Sequence, residues 1–126
     1  IGNDGCYSLS KNETWKQLKA LHFERNDISA DGVSAIFKSK IFLGLEGIDL
    51  NHTRFGPSGA LALAGDTLSC TNLKKLDLEH NTIGDEGASA IGKNTSWGNL
   101  EFLSLSQNLI GYKGPFLSVA TPHGKS

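Results

Sequence analysis

The sequence repeats itself, and this internal periodicity constrains the fold more than any other feature. Four segments share the pattern L-x-x-L-x-L-x-x-N-x-I, with a few substitutions. They begin at Leu18, Leu45, Leu73 and Leu100, which places their starts 27, 28 and 27 residues apart. One such unit is too small to bury its own apolar face, so successive units must stack on one another into a solenoid.

Each segment alternates apolar and polar residues over its second half, which is the period of a half-buried strand. We predict strands near 20–24, 47–51, 75–79 and 102–106, stacked side by side as a parallel sheet. The inward-pointing pairs are Leu21/Phe23, Ile48/Leu50, Leu76/Leu78 and Leu103/Leu105.

An asparagine follows three of the four strands, at Asn26, Asn81 and Asn108. A buried asparagine can bond both N–H and C=O groups of a backbone that has left the ladder, and stacked asparagines can serve neighbouring turns. Thr53 replaces it in the second repeat and can make only part of that bonding. We therefore expect the second repeat to have the locally weakest turn.

A glycine and a run of small and apolar residues follow each turn and predict a helix. The predicted helices lie near 4–11, 31–39, 58–67, 86–93 and 113–120. Asp31, Ser58 and Glu86 are expected at or just before helix starts, where they would bond free amides. The recurrent glycines provide either close helix packing or a special dihedral angle; they are Gly5, Gly32, Gly59, Gly87 and Gly114.

These patterns predict one domain over 1–126. It comprises strand–helix repeats at 18–44, 45–72, 73–99 and 100–120, a preceding half repeat at 1–17, and a tail at 121–126. Neither end resembles the polar capping repeat that a solenoid needs. We therefore expect a piece of a longer array, the alternative being a mature protein with an irregular cap.

Composition excludes several classes of protein. Lys and Arg number 12 against 13 Asp and Glu, so the chain lacks the basic excess of a nucleic-acid binder. No apolar run approaches the roughly 20 residues of a membrane span. Cys6 and Cys70 lie at non-equivalent repeat positions and are expected to be free thiols in a reducing compartment, which favours a cytoplasmic location.

The extended pattern L-x-x-L-x-L-x-x-N-x-I-x-x-x-G resembles the ribonuclease-inhibitor-like class of leucine-rich repeats over nearly the whole chain, most closely from Leu73 to Ile91. Thr14-Trp15 and Ser96-Trp97 are similar to segments of bacterial arrays of this class. The resemblance implies a curved α/β solenoid, or horseshoe segment, with the parallel sheet on the concave face and helices on the convex face. It also implies binding of other proteins on the concave face. Thr53, Phe55 and Ser118 depart from the pattern.

The exposed strand positions, aligned in register, form three columns and a flanking column. The columns are Ala20/Gly47/Lys75/Phe102, His22/Asp49/Asp77/Ser104, Glu24/Asn51/Glu79/Ser106 and, flanking, Arg25/His52/His80/Gln107. The three central columns hold four acids and one lysine. We predict that they bind a protein partner, with basic character favoured, and that exposed Phe102 is the anchor. The predicted contact residues are His22, Glu24, Asp49, Asn51, Lys75, Asp77, Glu79, Phe102 and Ser104. The alternative is an ordinary solvated face.

A metal or acid–base site is a competing interpretation of the acids and His22 on neighbouring strands; its members would be His22, Glu24, Asp49, Asp77 and Glu79. Against it, the sequence has no metal-ligand spacing motif, and an open sheet does not exclude water. We therefore expect no metal, no cofactor and no catalysis. His52 and His80 share a column, either as a pH-sensitive pair or as two solvated imidazoles.

The sequence thus favours a protein-interaction module. The alternative is the substrate-recognition part of a larger enzyme, such as a bacterial effector ubiquitin ligase delivered into a host cell. Sequence beyond residues 1 and 126 would decide between them. The first strand has no preceding partner strand, so its edge is open and we expect a tendency to associate end to end.

Overall fold

Strands and helices alternate along the whole described part of the chain. The computed structural model describes residues 2–39, 43–65, 71–94 and 96–111. The elements, in order, are α1 Asn3–Ser10, β1 Ala20–His22, α2 Ala30–Lys38, β2 Gly47–Asp49, α3 Gly56–Gly65, β3 Lys75–Asp77, α4 Gly84–Gly92 and β4 Phe102–Ser104. The helix predicted near 113–120, the departure at Ser118 and the tail lie outside the described residues.

The four strands form one parallel sheet in the order β1-β2-β3-β4. Equivalent repeat positions pair throughout, so that Leu21 lies beside Ile48 and Ile48 beside Leu76. The predicted architecture, an α/β solenoid with one strand and one helix per repeat, is therefore confirmed. Each strand is two residues shorter than predicted, because the chain enters a turn with positive φ, first at Arg25 and then at the equivalent positions of later repeats.

The core lies between the sheet and the helices. Ile48 and Leu76 of the inner strands, and Leu50 and Leu78 just after them, are buried as predicted. Leu21 and Leu103 on the two outer strands, and Leu105 just after β4, are only partly buried and pack against this core. Each helix packs on the next one, α1 on α2, α2 on α3 and α3 on α4, so the helices form a second layer.

Asparagine side chains join successive turns, as the sequence predicted. The Asn81 amide donates to the carbonyls of Leu50 (2.8 Å) and Leu78 (3.0 Å), and its oxygen accepts from the Thr53 N–H at 2.8 Å. Asn108 repeats the arrangement one turn later, accepting from the Asn81 N–H at 2.7 Å. Each side chain thus satisfies backbone groups of its own repeat and of the preceding one.

At α2 and α4 the predicted side-chain caps are wrong. Asp31, Ser58 and Glu86 lie inside the first helical turn, because the helices begin one or two residues earlier than the pattern suggested. At Gly2, Ser29 and Ile83, the N-cap residues of α1, α2 and α4, no side chain makes a capping bond.

The start of α2 is instead bonded by a side chain of the preceding repeat. The Asn3 oxygen accepts from the N–H groups of Ser29 (2.9 Å) and Gly32 (3.0 Å) at the start of α2. Asp85 occupies the position of Asn3 three repeats later. Its carboxylate accepts from the Gly111 N–H at 2.8 Å. The third residue of the I-G-[N/D] sequence therefore ties its helix to the following repeat.

Three of the recurrent glycines, Gly32, Gly59 and Gly87, serve close packing rather than a special dihedral angle. A Cβ on Gly87 would lie 2.5 Å from Cγ2 of Ile83 and 2.8 Å from Cβ of Ala60 on the neighbouring helix. A Cβ on Gly32 would collide with the Asn3 side chain. Positive φ angles fall instead on Gly56 and Gly84, which open their helices. None of the helices in the described ranges is long and apolar enough to cross a bilayer.

Candidate interaction surface

The strand register aligns the exposed residues as predicted. Each predicted column is a row of neighbouring residues that runs across the strands. Ala20, Gly47, Lys75 and Phe102 are neighbours in one row across the sheet. His22, Asp49, Asp77 and Ser104 form the next row. We call the nine predicted contact residues, with their neighbours in these rows, the strand face. None of the nine is buried; they are His22, Glu24, Asp49, Asn51, Lys75, Asp77, Glu79, Phe102 and Ser104.

Phe102 and Lys75 form the apolar part of the strand face. The phenyl ring is 45% exposed, and the Lys75 ammonium lies 5.5 Å from its centroid. A cation over an exposed ring contributes on the order of 0.5–1 kcal/mol. On the other side of Lys75, Gly47 has no side chain and leaves open space, since a Cβ there would meet only the Lys75 Cβ at 4.0 Å. An aromatic ring with an adjacent cation and an adjacent gap can receive a protruding side chain.

Asp49 and Asp77 also stabilise the turns that follow their strands, a role that we did not predict from the sequence. One oxygen of Asp49 accepts from the Asn51 backbone N–H at 3.0 Å and from the Asn51 side-chain amide at 2.9 Å. Asp77 accepts from the Glu79 N–H at 3.1 Å in the same way. These are Asx turns that start each strand-to-helix turn. The second oxygen of each carboxylate makes none of these turn bonds and can bond a partner.

His22, Glu24 and Asp49 come together at the β1 end of the strand face. Nδ1 of His22 lies 3.7 Å from Oε2 of Glu24 and 4.0 Å from Oδ2 of Asp49. Among the described residues these three could hold a metal ion, since one ligand atom from each lies within 4.8 Å of the others. Asp77 and Glu79, considered with them from the sequence, are not in this group. The same distances suit ion pairs with a protonated imidazole, so the group by itself carries no metal assignment.

The flanking column is also assembled as predicted. The rings of His52 and His80 stack, with centroids 4.0 Å apart and planes 21° from parallel. The Asn51 amide nitrogen is engaged by the Asp49 carboxylate, so its oxygen is the atom that faces His52, at 3.0 Å from Nδ1. Nδ1 of His52 must therefore carry the hydrogen, and Nε2 is the nitrogen that takes up a proton.

The pKa of His52 is lowered from its usual value. The main cause is loss of hydration in the stack, followed by repulsion from His80 and from the Arg25 guanidinium. The Glu79 and Asp77 carboxylates oppose this shift. The uncharged form of His52 is therefore favoured, and a nearby anion would favour its protonation.

A family model described as Leucine Rich repeat matches residues 17–37 and 69–92. The first match covers β1 and most of α2, and the second covers β3 and α4. No curated protein matches the chain in a sequence comparison. The chain therefore carries leucine-rich repeats at two positions, and its stacked strands and helices form an α/β leucine-rich-repeat solenoid. Leucine-rich repeats are generally protein-interaction modules and are typically non-catalytic.

Proposed function

We propose that this chain is a protein-interaction module that binds a partner protein on its strand face and performs no catalysis of its own. We also assign its repeats to the ribonuclease-inhibitor-like class, on the strength of their 27–28-residue spacing. The observation that carries the proposal is Phe102, a ring left 45% exposed on a sheet whose backbone is fixed by ladder bonds.

An exposed ring on a rigid sheet is well suited to serve as an anchor. Aromatic side chains are enriched among the few residues that provide most of an interface's binding energy. The strand that carries Phe102 is held by hydrogen bonds to β3, so little backbone freedom is lost on association. Lys75, seated beside the ring, adds a polar contact at the edge of the same patch.

The charge of the strand face favours a basic partner. The strand face has four carboxylates, those of Glu24, Asp49, Asp77 and Glu79. Against them stands the single ammonium group of Lys75, in the row that ends at Phe102. Complementary charge raises the association rate and selects among partners more than it raises affinity. The expected complement is a lysine- or arginine-bearing surface with one apolar side chain directed at Phe102.

The test is an affinity pull-down from a native lysate with the intact chain and two double variants. Phe102→Ala/Glu79→Gln alters the strand face without touching the turn bonds of Asp49 and Asp77. Leu61→Ala/Glu86→Gln makes the same chemical changes on α3 and α4, where both side chains are exposed. Circular dichroism establishes that both variants are folded.

We expect the intact chain and the Leu61→Ala/Glu86→Gln variant of the helix layer to capture the same protein. The Phe102→Ala/Glu79→Gln variant, which alters the strand face, should lose it. The affinity of the captured protein should weaken as salt rises from 50 to 500 mM, since an exposed charged interface is screened. Loss of the partner with the helix-layer variant alone would place the site on the helices. A salt-independent affinity would contradict a basic partner.

A further inference from the structure

A groove runs along the turns that follow the strands, beside the strand face. It has a volume of about 850 Å³ and is lined by residues of four successive repeats. Sites for small ligands span roughly 300–1,000 Å³. We call it the turn groove. The residues that decide its chemistry are Arg25, Asp27, His52, Arg54, His80 and Gln107.

The backbone of the turns aligns four of these residues in a row. Arg25, His52, His80 and Gln107 occupy the same position of successive repeats and all have positive φ, between 56° and 63°. The N–H groups of Arg25 and His52 donate to the Asn51 and Glu79 carbonyls of the next turn at 3.0 Å. These backbone bonds fix the spacing of the row.

The turn groove is cationic, in contrast to the acidic strand face. Two guanidinium groups and two imidazoles face one carboxylate, that of Asp27. Asp27 lies 4.0 Å from Arg54, and both side chains are more than four-fifths exposed, at 81% and 82%. Such a pair is weak and easily exchanged for another anion. Within the described ranges, no carboxylate lies within ion-pair distance of Arg25.

The stacked imidazoles respond to an anion in the groove. Without one, loss of hydration, His80 and the Arg25 guanidinium lower the pKa of His52. Asp77 and Glu79 face His52 from β3 and its turn, and Asp27 lies on the turn after β1; these three carboxylates act in the opposite direction. An oxyanion bound between the imidazoles and the guanidinium groups would stabilise protonated His52, so its binding is coupled to proton uptake.

We propose that the turn groove is a second binding site, which takes a peptide segment bearing oxyanions and binds it more tightly as pH falls from 7.5 to 5.5. Carboxylate and phosphate side chains share the required chemistry, because both offer the oxygen acceptors that guanidinium and imidazolium groups bond. A nucleic acid is disfavoured, since the strand face beside the groove is acidic and would repel a long polyanion. This proposal stands apart from strand-face binding and does not need it.

The test titrates the chain by calorimetry with three probes at pH 7.5, 6.5 and 5.5. The probes are a hexaglutamate peptide, a neutral hexapeptide with one phosphoserine, and inorganic phosphate alone. The hexaglutamate peptide, whose carboxylates stay largely ionised over this range, should bind at least threefold more tightly at pH 5.5 than at pH 7.5. The steepest dependence is about tenfold per pH unit for each proton taken up. The carbon-bound ring protons of His52 and His80 should shift in the NMR spectrum on binding.

Matched variants locate the site. Arg25→Gln/Arg54→Gln should abolish binding of the peptides, whereas Lys16→Gln/Lys93→Gln, with the same change in charge on exposed residues outside the groove, should retain it. His52→Gln/His80→Gln should retain weak binding that no longer varies with pH. Phe102→Ala should leave peptide binding unchanged, which separates this site from the strand face.

Three results would overturn the proposal. One is an affinity for both peptides that does not change between pH 5.5 and 7.5. Another is equal binding by the groove variant and its matched control. The third is tighter binding of an oligothymidine of six nucleotides than of either peptide, which would make the groove a nucleic-acid site instead. Binding of the phosphoserine peptide but not of hexaglutamate would support the site and identify phosphate as its ligand.

Discussion

At the scale of single residues, Asn81 illustrates how much of the fold depends on side-chain bonding at the turns. It is fully buried and bonds backbone groups of two repeats. Asn81→Ala would leave the Thr53 N–H and the Leu50 carbonyl without this partner. At roughly 1–3 kcal/mol for each stranded polar group, we expect the free energy of unfolding to fall by about 2–4 kcal/mol, measured by urea denaturation.

Asn99→Ala is the matched control for this prediction. Asn99 is exposed, and its amide makes a single long bond of 3.3 Å to the Thr71 carbonyl. The change should alter stability by less than about 0.5 kcal/mol. Equal losses for the two variants would show that the asparagine bonds between turns contribute little.

Cys6 gives a second prediction at this scale. Its side chain is fully buried on α1, and burial raises the pKa of the thiol to about 11. The reactive thiolate is therefore scarce at pH 8. In a Cys70→Ser background, the native protein should react with iodoacetamide at least tenfold more slowly than the urea-unfolded protein. Similar rates in the two states would mean that α1 opens readily or does not cover Cys6.

At the scale of elements, glycine sets the spacing of the helix layer. Gly87→Ala would place a methyl group 2.8 Å from Cβ of Ala60 on α3 and against Ile83. Overpacking of this kind typically costs about 1–3 kcal/mol, and we expect a corresponding fall in the midpoint of urea denaturation.

Gly65→Ala provides the control for the helix layer. Gly65 ends α3, and a Cβ there would have no neighbour within 4 Å. We expect this variant to be as stable as the parent or slightly more stable, because alanine loses less backbone entropy than glycine. A loss at Gly65 as large as that at Gly87 would contradict crowding as the cause, because a Cβ on Gly65 has no neighbour to crowd.

The turn of the second repeat remains a prediction. The Thr53 hydroxyl lies 2.9 Å from both the Leu50 carbonyl and the Asn81 oxygen, yet its single hydrogen can be donated to only one of them. We therefore expect backbone amides of residues 50–56 to exchange with deuterium faster than those of residues 78–84. Equal protection would mean that Asn81, reaching across from the third repeat, fully replaces the missing asparagine.

Particular residues show which parts of this structure the sequence could predict. The register of Ile48 beside Leu76, and hence the columns and the stacking of His52 on His80, follow from a repeat of nearly constant length. The start of α2 was misplaced because it is bonded by Asn3 of the preceding repeat, not by a local cap. The Asx turns at Asp49 and Asp77 had a visible signal, an aspartate two residues before each turn. The gathering of Arg25 and Arg54 in one groove depends on positive φ angles that no pattern specifies.

At the scale of the whole molecule, β1 forms one edge of the described sheet. The Phe23 N–H donates to the Asp49 carbonyl of β2. Because successive N–H groups of a strand point in opposite directions, those of Ala20 and His22 point to the open side. We expect concentration-dependent association through this edge, visible by light scattering as a rise in mean mass toward millimolar concentration.

Ala20→Pro tests whether that edge is responsible. Proline removes an edge N–H and is tolerated where no ladder bond is needed, whereas Ala20→Ser keeps the donor. The proline variant should stay monomeric at concentrations where the serine variant associates. A parent chain that remains strictly monomeric at millimolar concentration would refute the prediction outright.

The separation of buried and exposed strand positions has a consequence for the ancestry of such a molecule. Residues such as Ala20, Gly47 and Phe102 support no other part of the fold, so a lineage can replace them and explore new partners at little cost in stability. Asp49 and Asp77 are different, because their carboxylates also shape the turns. Selection for a new partner should therefore act first on the row formed by Ala20, Gly47, Lys75 and Phe102. Duplication of one repeat would add another set of such variable positions.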